Sequence, residues 1–342
     1  MIYTEWDSLK RVIVGSAYST SFLKDFTDQE FVEGMTQILE ETEEDLCALA
    51  KLLEQHSVTV YRPPQFDLKP QQGSTWSVDY PYPPLCPRDF NFVYANFIIS
   101  TVGGDPNRIN EHEFFNPILL EHQQTSEISN RLISMPRPSL TSEYIPYADL
   151  EPQILFHSAN ILKCGDTLLH TQPYNDQGGR GTTHGLGWLK SMLPRWIRWI
   201  EIPATGHADG KLALLKPGVM MCWDPKHIPQ EMSSWKYIQV ETRAKDEQLE
   251  KLQLSPFYKT SVKQWLNHWI GQVDETCFDI NVISIDDRTV ITNGYNKQVE
   301  QQMKQHSITM IPFNFRHKYF WDSGLHCLTL DLERLGALES YV

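Results

Sequence analysis

Apolar positions fall into a short pattern that recurs along this chain. Val12-Ile13-Val14, ending at Gly15, reads as a strand, and Phe31, Met35, Ile38, Leu39, Leu46, Leu49 and Leu53 then follow helical spacing. Thr27-Asp28-Gln29-Glu30 in front of them has the form of a capping box, so a helix is predicted to start there. The short run Val58-Thr59-Val60-Tyr61 closes this first unit as another strand.

Later stretches repeat the scheme as strand, turn, strand, helix, strand, although not every copy shows every part. The second copy starts at Pro87-Arg88-Asp89 and runs through Phe90–Tyr94 and Phe97-Ile98-Ile99 to a helix in the Glu111–Met135 region. The third starts at Phe156-His157-Ser158-Ala159-Asn160. It continues as Ile161-Leu162-Lys163, turns at Gly165-Asp166 and returns as Thr167-Leu168-Leu169, with a helix near Gly185–Met192 and a closing strand at Ile200–Ile202. The fourth starts at His207-Ala208-Asp209, with Leu212–Leu215 and Val219–Cys222 about the turn Lys216-Pro217-Gly218. The fifth starts at Phe278–Asn281, with a hairpin Val282–Ile285 and Thr289–Thr292, a helix Asn296–Gln305 and a strand Ser307–Ile311.

One segment is left over. Ser323-Gly324-Leu325-His326-Cys327-Leu328-Thr329 begins a strand with no room for a further helix, so its simplest partner is Val12–Val14. This layout predicts an α/β fold: a five-bladed propeller of ββαβ modules with pseudo-fivefold symmetry, one domain over 1–342, with one unit completed by both chain ends. In such a ring, equivalent positions face one central channel. The equivalents are Asp89, His157, Asp209, Asp279 and Cys327. A cysteine, a histidine (His207) and a carboxylate are the minimum parts of a thiol nucleophile with a positioned acid/base.

Each of these residues has a structural explanation when taken singly. A lone cysteine is usually a small buried hydrophobe, Asp209 can cap a turn, and Arg88-Asp89 can be an ion pair. Their recurrence at equivalent module positions favours chemistry, above all for Cys327, His207 and Asp209. Weaker constellations carry less. Gly178-Gly179-Arg180-Gly181 lacks the lysine and helix of a phosphate-binding loop. Trp188, Trp196 and Trp199 read as core. Arg131 and Arg137, flanking Pro136, read as a helix end running into a turn, and Thr75–Pro87 as an irregular loop approaching the site.

Composition narrows the partners. Among 342 residues, 41% are hydrophobic and 21% charged, enough for a sizeable core, and the net charge of −13 argues against nucleic acid and favours a cationic small molecule. No apolar stretch approaches the ~20 residues of a membrane span, and the N-terminus lacks the blocks of a signal peptide. The six cysteines (47, 86, 164, 222, 277 and 327) form no CxxC, which fits reduced thiols, a cytoplasmic location and no structural metal.

Cys86-Pro87-Arg88-Asp89, Phe156–Asn160, His207-Ala208-Asp209, Gly324–Thr329 and Arg334–Tyr341, in this order along nearly the whole chain, resemble the amidinotransferases of the guanidino-group-modifying (pentein) superfamily. That resemblance implies a five-bladed α/β propeller and transfer of an amidino group from an arginine-like guanidino donor to an acceptor amine, without cofactor or metal. It implies Cys327 as nucleophile, His207 as acid/base and Asp209 as an orienting or substrate-contacting carboxylate. Substrate binding would fall to Asp89, His157, Asn160, Lys226 and Asp279, and a homodimer is compatible with it.

The chain departs from the family pattern at His157, where the family has an acidic residue. It departs also at Lys226, where an arginine is expected, at Asp322-Ser323-Gly324, where glycines usually run together, and at Asp274-Glu275, where small hydroxyl residues often bind substrate. Two alternatives follow. One is a guanidino-compound hydrolase of deiminase or dihydrolase type. The other is a non-catalytic binding protein on the same fold.

Overall fold

A computed structural model of the chain describes residues 1–73, 76–127, 129–139, 153–173, 180–240, 257–262, 266, 269 and 278–342. Asp274-Glu275, Gly178-Gly179 and Cys277 lie outside these residues.

The first strand, β1 (Ser8–Val14), leads through a 3-10 turn to α1 (Gln29–Gln55). Asp28 caps α1 by accepting the Phe31 N–H at 3.1 Å. All seven apolar positions read as its inner stripe are buried, so the helical period in the sequence is also the packing face. α1 returns the chain to β2 (Thr59–Tyr61), parallel to β1. A small hairpin of β3 (Gln71–Gln72) and β4 (Ser77–Val78) precedes the next unit.

In the second unit a single turn, α2 (Pro87–Phe90), opens into the hairpin β5 (Asn91–Tyr94) and β6 (Phe97–Ser100). The helix expected over Glu111–Met135 is shorter: a 3-10 turn Glu111–Phe114, then α3 (Asn116–Thr125), with Pro117 in its first turn. Arg131–Ser134 is not a helix end but the strand β7, parallel to β6. Leu132 and Ile133 are partly buried in this strand; the apolar pair is too short for its period to distinguish strand from helix.

The third unit holds the hairpin β8 (Ile161–Cys164) and β9 (Thr167–Gln172), α4 (Thr183–Met192) and β10 (Arg198–Thr205), parallel to β9. Trp188 and Trp199 pack against its core, whereas Trp196 is exposed. The fourth joins β11 (Leu212–Lys216) and β12 (Val219–Cys222) across Gly218, whose φ of +75° suits glycine. Its closing strand β13 (Lys236–Gln239) follows two 3-10 turns rather than a helix. The fifth joins β14 (Ile283–Asp286), β15 (Thr289–Asn293), a helix Lys297–Gln305 and β16 (Thr309–Phe313). Last comes β17 (Thr329–Leu335), antiparallel to β1 with Ile13 opposite Leu330 and Val14 opposite Thr329.

The described residues therefore form five three-stranded sheets of one pattern, an antiparallel pair with a third strand parallel to one member, besides the β3–β4 hairpin. None of the sheets closes on itself. No helix among the described residues is long and apolar enough to cross a membrane.

Candidate active site

Each sheet places its chemistry in the same position, the turn that leads into an edge strand. Asp89 lies in α2 just before β5, and His157 directly precedes the 3-10 turn Ser158–Asn160 before β8. His207 and Asp209 belong to the turn before β11, Asp279 to the turn before β14, and Cys327 stands two residues before β17. A short turn ending in a buried strand has few ways to orient its side chains, so five such turns can converge.

Four of the five do. Ligating atoms of His207, Asp209 and Cys327 lie within 4.8 Å of one another, as do those of Asp89, His157 and His207. The Cys327 thiol donates to Asp209 Oδ2 at 3.4 Å and receives the Asn281 side-chain amide at 3.2 Å. The Asn281 carbonyl oxygen accepts the backbone N–H groups of His326 and Cys327 at 2.8 and 3.2 Å. One asparagine thus fixes both the cysteine backbone and its sulfur. Gly324 packs against this asparagine so closely that a Cβ there would come within 2.5 Å of it.

Asp209, expected as an orienting or substrate-contacting carboxylate, accepts with Oδ2 from His326 Nδ1 at 2.7 Å, and His326 Nε2 stands 3.3 Å from Glu5. Burial alone would raise the Asp209 carboxyl, but the His326 hydrogen bond, with the nearby histidines and Arg88, brings it below its ordinary value.

His207 meets different partners. Its Nε2 lies 3.1 Å from His157 Nδ1, and its Nδ1 lies 3.9 Å from Asp89 Oδ1. Burial pushes the His207 imidazole down to about 4, against the pull of Asp89. The other Asp89 oxygen accepts from Arg108 Nη1 at 2.7 Å, while Arg108 grips Glu111 with two further N–H groups at 2.5 and 2.9 Å. Asp89 Oδ1 and Asp209 Oδ1 are buried without a hydrogen-bond partner among the described residues. Buried carboxylate oxygens seldom stay unsatisfied, so these two are ready acceptors for an N–H donor.

The remaining expected residues stand elsewhere. Asn160 is buried, its amide donating to the Arg180 carbonyl at 2.8 Å, which also accepts the His157 N–H at 3.1 Å. Lys226 is exposed and pairs with Asp224 at 3.0 Å, away from the cluster. Asp279 lies within 3.5 Å of the Asn296 amide. Asn281, His326, Asp105 and Arg108 received no role from the sequence. Only the adjacency of His326 to Cys327, and of Asn281 to the start of its module, could have flagged them.

The two clusters also have the residue types of a cation site. However, the guanidinium groups of Arg108 and Arg180 bear on the Asp89–His157–His207 group, and like charge disfavours a metal ion there.

No protein-family profile matches the chain. Inosamine-phosphate amidinotransferase 1 of Streptomyces glaucescens is 26% identical, over 99% of this chain and 98% of its own length. The mitochondrial glycine amidinotransferase of Xenopus laevis is 21% identical, over 99% and 84%. Among solved structures, the inosamine-phosphate amidinotransferase of Streptomyces griseus superposes with a TM-score of 0.76 at 23% identity, covering 99% and 98% of the two chains. A dimethylarginine dimethylaminohydrolase, at 13% identity, gives 0.59 over 94% and 99%. The resemblance to amidinotransferases carried by the motifs thus extends to sequence over the whole chain and to a mixed α/β fold.

Proposed function

Taking the chain as a homologue of amidinotransferases, we propose that it moves an amidino group from an arginine-like guanidino donor to an acceptor amine through a covalent intermediate on Cys327. The observation that carries this reading is the meeting of the Cys327 thiol, the His207 imidazole and two buried, unpartnered carboxylate oxygens. A donor guanidinium would satisfy Asp89 Oδ1 and Asp209 Oδ1 with its N–H groups. Its central carbon would then lie before the sulfur.

The Cys327 thiol gives its proton to His207, and the sulfur attacks that carbon as a thiolate. The C–N bond to the rest of the donor breaks, and the departing nitrogen takes a proton from His207, leaving an amidino-thioether and a free amine. The acceptor amine next attacks the same carbon and gives a proton to His207, and the C–S bond breaks to return the thiolate. With water as acceptor, the same intermediate would give a ureido product, the reaction of a hydrolase. The names of the full-length relatives favour transfer.

On this reading the five sheets are the blades of one propeller domain spanning 1–342, and the β1–β17 pair closes the ring. The test is intact-protein mass spectrometry after mixing with arginine or other guanidines. Addition of one amidino group to Cys327, discharged by an amine, is the expected result. Absence of any adduct across a panel of guanidines, with the protein folded, would overturn the proposal.

A further inference from the structure

At His157, where the resemblance to amidinotransferases implies an acid, a carboxylate is present one step further out. Asp105, in the loop after β6, places Oδ2 3.2 Å from His157 Nε2, while His157 Nδ1 lies 3.1 Å from His207 Nε2. The two ring nitrogens of one fully buried imidazole thus face a carboxylate on one side and the proposed acid/base on the other.

The loop is shaped for this chain of contacts. A Cβ on Gly103 would fall 2.5 Å from His157 Nε2 and 2.7 Å from the Phe90 ring. Only a glycine lets the backbone pass while the imidazole reaches Asp105. Phe156 N–H donates to Val102 at 2.8 Å, and Thr101 and Ser158 hydroxyls meet at 2.9 Å, so the Asp105 loop and the His157 turn are tied together.

We infer that Asp105 is a positioning residue that acts on His207 through His157, as an Asp–His–His proton chain in place of a direct Asp–His contact. The inference rests on the reading of His207 as the acid/base. A carboxylate can only accept, so neutral His157 carries its hydrogen on Nε2 and donates to Asp105. Its bare Nδ1 then accepts from His207 Nε2–H. That leaves His207 Nδ1 as the atom where the working proton arrives and leaves, facing Asp89 Oδ1 at 3.9 Å. When His207 becomes an imidazolium, its charge is stabilised through the neutral ring by Asp105, with no anion touching it on that side.

The surroundings bound what this does. His157 is faced by Asp105, His207, Arg180 and Asp89, and His207 by Asp89, His157, Asp209 and Arg180. Arg180 Nη1 stands 3.9 Å from the other Asp105 oxygen and so shares the carboxylate.

Histidine-labelled protein examined by nitrogen NMR tests the chain without any substrate. Near neutral pH, both His157 and His207 should carry hydrogen on Nε2 and none on Nδ1. Asp105→Asn should move the titration midpoints of both rings to lower pH, His207 by roughly one unit. In a His157→Asp background, where a carboxylate would touch His207 directly, the His207 midpoint should rise, and the shift caused by Asp105→Asn should nearly vanish. A purely structural Asp105 would give the same His207 shift in both backgrounds.

A hydrogen on Nδ1 of His157 in the unmodified protein overturns the inference even if the variants fail to fold. So does an Asp105→Asn effect confined to His157. If no guanidine forms an adduct on Cys327, the transfer reading fails alone, and these spectra still decide the proton chain.

Discussion

Cys327 differs from the other described thiols in its surroundings. Burial pushes the Cys164 and Cys222 thiols up to about 12, and pushes Cys86 well above its ordinary value. Cys327 instead has an amide N–H directed at its sulfur and an imidazole close by. Among the described thiols, Cys47 is the other one a reagent should reach, half-buried beside Arg62 at 3.0 Å. Of these, iodoacetamide should therefore label Cys327 and Cys47, and only the first modification should abolish turnover. Cys327→Ser should lower turnover at least about 10³-fold with the fold intact, while Cys47→Ala keeps activity; peptide mapping beside an activity assay separates the two. Labelling of Cys327 with activity retained would refute its role.

The histidines give a second prediction at this scale. His207 sits near 4 in the folded state, below the ordinary imidazole value, because burial disfavours its cation. A group depressed on folding binds its proton first in the unfolded chain. Its stabilising contribution is therefore complete above about pH 6.5 and is lost as pH falls towards about 4. Urea unfolding should show a loss of about 2 kcal/mol from this group between about pH 7.5 and pH 5. In His207→Gln the slope should be shallower. Equal slopes in the two proteins would show that His207 is not the depressed group.

At the scale of elements, the turns before these edge strands decide the site. The polar start of each module is legible because a short, mainly apolar strand follows it and, in the third, fourth and fifth modules, a hairpin with a glycine or aspartate at its turn returns that strand. The helical stripe of α1 was legible for the same reason. β7 and β13 were not: each is a short closing strand whose few apolar residues do not show a period. Contacts between modules were harder still. Asp105 and His157 are 52 residues apart, and Asn281 and Cys327 are 46 apart. Only packing brings such pairs together, and no local pattern marks them.

Gly103 belongs to this scale, because it is the loop's backbone that makes room for the ring. Gly103→Ala should push the His157 ring aside and break the Asp105 contact, since the nearest obstacles are the two aromatic rings. The expected result is a fall in turnover of roughly 10-fold or more. The change in unfolding free energy should stay within the ~1–3 kcal/mol of an overpacking substitution. Full activity in a folded Gly103→Ala protein would show that the ring position is not critical.

At the scale of the whole molecule, the chain ends meet behind the site in a buried network of charges. Arg88 of α2 pairs with Asp331 of β17 at 3.0 Å and lies 3.9 Å from Glu5 near the N-terminus. Lys163 of β8 reaches Glu5 at 3.3 Å and Asp331 at 3.6 Å, and Arg334 reaches Asp331 at 2.9 Å. His326 joins Glu5 to Asp209, so the network runs from the first residues to the carboxylate under Cys327. Burial depresses the Lys163 ammonium, and its two carboxylates oppose that. Such a network adds little net stability over an apolar packing of the same shape, but removing one partner leaves its opposites charged and dry. Asp331→Ala should therefore cost about 3–5 kcal/mol in urea unfolding, because Arg88 and Lys163 would be left with only Glu5 close by and Arg334 would lose its ion-pair partner. Adding Lys163→Met should recover part of that loss, since it removes one stranded cation and replaces it with an apolar chain of similar length. The double-mutant cycle isolates the coupling. Additive losses in the cycle would mean that Asp331 and Lys163 do not share a buried field.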